Sequence, residues 1–112
     1  MVTPANASLS AVADSSASEA SISGDGCYRW WLRRCLGTGA GCLLFVGLNP
    51  SRADGQRDDP TLRRLIGFAR HWGYRELLVL NLFARMSPSP AALLRVKDPI
   101  GEQNDAILNR WF

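Results

Sequence analysis

The feature that most constrains this chain is residues 42–61, CLLFVGLNPSRADGQRDDPT. Five consecutive apolar residues, Cys42, Leu43, Leu44, Phe45 and Val46, stop abruptly at Gly47-Leu48-Asn49-Pro50-Ser51. A continuous rather than alternating apolar run is what a strand covered on both faces requires. After a polar loop, Asp59 is placed to cap a helix with Pro60 at its first position. Leu62, Leu65, Ile66 and Ala69 then recur at helical spacing, with Trp72 next along the same face, and Gly73 ends the helix. Residues 76–83, ELLVLNLF, read as a second buried strand. Strand, helix and strand in this order predict a right-handed parallel crossover. Ligands in open α/β sheets bind beyond the carboxyl ends of the strands, which is where Asn49 and Asn81 lie.

Around this unit the reading is coarser. Residues 1–26 are dominated by Ala and Ser and cannot bury enough apolar surface to offset their ordering entropy, so they are expected to be a disordered tail. Residues 27–112 form the domain. Within it, CYRWWLRR at 27–34 reads as an edge strand with Tyr28, Trp30 and Leu32 on one face and Arg29, Trp31 and Arg33 on the other. A Gly-rich loop at 37–41 would let it pair antiparallel beside the strand at 42–48. A short helix is expected over 90–96, and a last helix starting at Asp98-Pro99 with Ile100, Ile107, Leu108 and Trp111 on its buried side. The fold class is α/β, a three-layer sandwich around a small, mostly parallel sheet. Its few strands suggest a domain incomplete at the C-terminus.

The net charge of +3 is unevenly spread. All 13 basic residues follow residue 28, while Asp14, Glu19 and Asp25 fall in the tail, leaving 13 − 7 = +6 on residues 27–112. That excess suits a nucleotide or nucleic acid partner, or merely an Arg-rich surface. No apolar run approaches the ~20 residues that cross a bilayer, and no secretory signal opens the chain, so a cytoplasmic location is expected. Cys27, Cys35 and Cys42 lack metal-binding spacing and read as free thiols; no metal or cofactor is expected. The glycines at 37, 39 and 41 precede a strand rather than follow it, which argues against a nucleotide-binding Gly-rich loop.

Several residues are candidates for chemistry. Asn49 can orient a water or a substrate by donating and accepting at once, or bond its own turn. Asp54, Asp58 and Asp59 could together serve a divalent ion or a general base; Asp59 has the alternative role of helix cap, and Asp58 that of partner to Arg63 or Arg64. Asn81, an amide in an apolar strand, must find partners, either on a ligand edge or between two loops. Ser51, Arg52 and Arg57 are candidates to hold substrate or phosphate, alongside Arg63 and Arg64. His71, late in the helix, fits a structural role at its C-terminus better than a catalytic one.

These motifs resemble domain-of-unknown-function family 1643, found in bacteria and phages. The resemblance rests on SISGDGCYRWWLRR, GLNPSRADGQRDDPTLRR, GFARHWGYRELLVLNLFA and DPIGEQND, and spans roughly residues 21 to 112. It implies a fold more than an activity. A more distant likeness is to the uracil-DNA glycosylase superfamily, in which Gly47-Leu48-Asn49-Pro50 is similar to a water-positioning motif and Leu80-Asn81 to a base-reading one. The family resemblance implies a further strand, a further helix and a closing His-Pro segment, and the glycosylase likeness a His-Pro loop near the C-terminus; these are missing here, so a fragment is expected. Three functions follow as expectations. One is an enzyme acting on a nucleobase, nucleotide or nucleic acid. The others are a non-catalytic module binding nucleic acid or protein, and an inactive truncated product.

Overall fold

The computed structural model describes residues 2–3, 18–50 and 53–111. Strands β1 (Val2–Thr3), β2 (Ser18–Ile22), β3 (Arg29–Cys35), β4 (Cys42–Gly47) and β5 (Glu76–Asn81) form one sheet in the order β1-β4-β5-β3-β2. Helix α1 (Pro60–His71) joins β4 to β5, and α2 (Pro90–Leu93) and α3 (Asn104–Trp111) follow.

The central unit forms as expected. β4 and β5 pair in parallel from Cys42 opposite Glu76 to Gly47 opposite Asn81. Asp59 caps α1 by accepting from the Leu62 N–H at 2.8 Å. At the other end Gly73, at φ +82°, lets Tyr74 N–H reach the Ala69 carbonyl and its own N–H reach that of Arg70. This paired closure is the Schellman arrangement, which only a residue tolerant of positive φ completes cheaply.

The sheet is not mostly parallel, because β4–β5 is the single parallel pair among the described residues. β5 is buried along its whole length and needs a hydrogen-bonded neighbour on each side. It therefore inserts between β4 and β3, and β3 pairs antiparallel with β5 instead of lying beside β4. Nor is β3 an edge. Part of the expected tail, Ser18–Ile22, pairs antiparallel with it after a tight turn closed by Ser23 and Gly26. Residues 4–17 of that tail lie outside the described residues.

The register of β2 on β3 slips by one: Ser21 faces Trp31 but Ile22 faces Arg29. An extra residue in one strand of an antiparallel pair is a β-bulge, and it reverses the alternation beyond it. Leu32 therefore shares a core cluster with Phe45, Leu62 and Val79, and Arg29 lines the same side instead of facing the Arg33 side. Tyr28 and Trp30 stay together, stacked at 5.3 Å with planes 2° apart, but not with Leu32: they sit beside Gly101, outside the cluster that Leu32 joins.

Leu43, Leu77 and Val79 pack with Leu62, Leu65, Ile66 and Ala69 of α1. Cys42, Leu44, Leu78 and Leu80 pack with Ile107, Leu108 and Trp111 of α3. Trp72 is not on the buried face; as the residue that ends α1 it is 58% exposed and stacks on Phe68. The last helix starts at Asn104, not Asp98: Pro99 is followed by Gly101 at φ +90°, which breaks the backbone, and Ile100 is exposed. All three cysteines are free thiols, and burial pushes Cys42 up to about 11. No helix among the described residues is long and apolar enough to cross a membrane.

Candidate functional site

A cleft of about 260 Å³ opens where β4 and β5 end. Its apolar wall includes Phe45, Leu62, Leu65 and Val79, and its polar lining includes Arg29, Asn49, Asp59, Asn81 and Ser87. The two amides singled out in the sequence therefore share one cavity.

Their hydrogen bonds decide what each can offer. Asn49 donates its NH2 group to the carbonyls of Pro50 and Ser87, both at 3.2 Å. These bonds lash the segment after β5 to the turn after β4, and leave the side-chain carbonyl oxygen as the Asn49 acceptor. Asn81 is 4% exposed, and its carbonyl oxygen accepts from Arg29 Nη2 at 3.3 Å. A guanidinium only donates, so the oxygen must face it and the NH2 group is what Asn81 offers elsewhere. Gly47 makes room for that group: a Cβ there would lie 2.9 Å from Asn81 Nδ2. From the other side the buried Asn104 donates to the backbone carbonyls of Asn81 and Leu82, each at 2.9 Å, tying α3 to the end of β5.

Arg29 is the residue that sequence reasoning missed. It is 5% exposed, its Nη1 donates to the Ala53 carbonyl at 2.9 Å, and its buried Nε has no hydrogen-bond partner among the described residues. Burial pushes its guanidinium down to about 10, partly countered by the negative charge of Asp59, so it stays cationic at neutral pH. The bulge that turns it into the cleft leaves no mark in residue types. Arg33 and Arg34 are buried as well, Arg33 3.4 Å from Glu76, so these three charges do not contribute to a basic surface.

The acidic group divides. Asp59 lines the cleft and spends its second oxygen on the Ala53 N–H at 3.3 Å. Asp58 is outside the cleft lining and accepts from Nε and Nη2 of Arg34 at 3.1 and 2.9 Å, not from Arg63 or Arg64. Asp54 is held below the ordinary carboxylate range by the N–H groups of Gln56 and Arg57 within its own turn. No cluster of three or more metal-ligating side chains exists among the described residues. Arg57 is exposed and offers its backbone carbonyl to Arg34, away from the cleft. His71 is exposed at the helix end, also away from it. Ser51 and Arg52 lie outside the described residues.

No curated protein matches the chain, and no solved structure does. The uracil-DNA glycosylase resemblance thus gains no support from known structures. The model of a family described as protein of unknown function, DUF1643, matches residues 29–112, which takes in every element that builds the cleft. The chain belongs to the DUF1643 family.

Proposed function

We propose that the cleft binds a small nucleobase- or nucleotide-type ligand and that the protein acts on it as an enzyme. The observation that carries this reading is the meeting of Asn49 and Asn81 in one cavity at the carboxyl ends of the parallel pair. A volume of about 260 Å³ sits just below the ~300–1,000 Å³ typical of drug-sized ligands, and so suits a single ring with a small substituent. The apolar wall would flank the ring, the Asn81 NH2 group would donate to an acceptor on the ligand, and the Asn49 oxygen would orient water or substrate.

Calorimetric titration with free bases, nucleosides and nucleoside monophosphates tests the binding. Asn81→Leu is expected to weaken whichever ligand binds by roughly tenfold or more, as expected when a ligand group loses its hydrogen-bond partner. Base release or nucleotide hydrolysis, followed chromatographically, tests the chemistry. Loss of turnover in Asn49→Ala supports it, and unchanged turnover removes Asn49 from the mechanism.

One observation favours a second reading, a nucleic-acid-binding module without catalysis. Phe68 and Trp72 stack 5.4 Å apart, exposed on α1, in one helical row with the exposed Arg64. Aromatic faces beside arginine suit unpaired bases. This reading predicts oligonucleotide binding that weakens steeply with salt and is lost in Trp72→Ala while Asn81→Leu leaves it intact.

A further inference from the structure

The inner end of the cleft is rich in donors, with the Asp59 carboxylate as the one acidic group in the cleft lining. Arg29 has five N–H groups, yet among the described residues they meet just two acceptors, the neutral oxygens of Ala53 and Asn81. Asn81, its oxygen turned to Arg29, adds an NH2 group beside them. Asp59 directs its two carboxylate oxygens at the Leu62 and Ala53 N–H groups. The result is a buried cation with no carboxylate within ion-pair distance among the described residues, at the bottom of an open cavity. A charge removed from water is costly unless an opposite charge joins it.

We propose that this inner end receives a terminal oxyanion, the carboxylate or phosphomonoester of a small ligand, against Arg29 and the Asn81 amide. The inference rests on the reading of the cleft as a ligand site and narrows its ligand class. Convergent donors match an acceptor-only group, and contacts between charged partners are the stronger kind. Arg29 and Asn81 are 5% and 4% exposed, so only the end of a molecule reaches them. A phosphodiester within a polymer, flanked on both sides by sugars, does not. The internal phosphates of a nucleic acid are accordingly excluded from this inner end.

The test uses thermal melts at constant ionic strength with methyl phosphate, acetate and dimethyl phosphate. The melting temperature of the wild type is expected to rise with methyl phosphate or acetate, whichever group the site prefers, and to ignore the diester. Asn81→Asp puts a carboxylate opposite Arg29, where the ligand's anion would sit. It is expected to melt no lower than the wild type without anion and to respond to anion roughly tenfold or more weakly. Should that variant not melt cooperatively, Asn81→Leu provides the same comparison. No rise with either anion, an equal rise in the variant, or an equal rise with dimethyl phosphate would overturn the proposal. Titration with uridine separates the two readings. If it binds in an Asn81-dependent way while both anions fail, only the oxyanion falls; if nothing binds, the ligand site falls with it.

Discussion

Arg34→Ala is expected to lower stability by about 3–5 kcal/mol, because it leaves several part-buried acceptors unpaired at once, each at a cost of ~1–3 kcal/mol. Arg34 is 4% exposed and ties residues 54–58, ahead of α1, to the sheet. Its guanidinium donates to the Asp58 carboxylate and to the backbone carbonyls of Asp54, Arg57, Arg33 and Glu19. Alanine would strand these acceptors together, and domains are stable by only ~5–15 kcal/mol in total. Equilibrium urea unfolding reads the loss directly. Asp58→Asn should cost far less, about 1 kcal/mol, because the Asp58 side chain is 38% exposed and water screens its share of the pair. Equal losses in the two variants would mean that the carboxylate, not the web of carbonyls, is what holds the loop.

Gly101→Ala should cost about 2–5 kcal/mol by the same measurement. Two penalties add there. At φ +90° an L-residue is strained by ~1–2 kcal/mol, and overpacking typically costs ~1–3 kcal/mol. The added Cβ would lie 2.7 Å from the Trp30 ring and 2.9 Å from that of Tyr28, and neither stacked ring can give way independently. Gly24→Ala is the control: no atom lies within 4 Å of its added Cβ, and a change within about 0.5 kcal/mol is expected. A small loss at Gly101 would show that the aromatic pair is mobile. Because the Gly101 carbonyl accepts from Asn104 N–H as α3 begins, the variant should also loosen the tie between α3 and the end of β5.

The legible parts of this protein are those written in neighbouring residues. The apolar run of β4, the Asp59-Pro60 cap, the face of α1 and the Gly73 stop each depend on interactions within a few positions. Together they bring Asn49 and Asn81 to the same ends of adjacent strands without reference to the remaining chain. Asp54, Asp58 and Asp59 are neighbours in sequence but not in role. Arg34, from a strand outside the crossover, captures Asp58 and leaves Asp59 alone to face the cleft.

Sequence by itself determined the strand–helix–strand unit and the pair of amides at its mouth, since helical period, capping and strand burial are local properties. Only the tertiary structure decided that β5 inserts between β4 and β3, that a one-residue bulge turns Arg29 into the cavity, and that Asn104 grips β5 from behind. The β5–β3 pairing, the Arg29–Asn81 contact and the Asn104–Asn81 contact each join residues more than 20 positions apart, where the arrangement is chosen by what buries β5 and satisfies its backbone; the bulge itself is a nearer pairing, of Ile22 with Arg29. The positive charge at the floor of the cleft is a product of that choice.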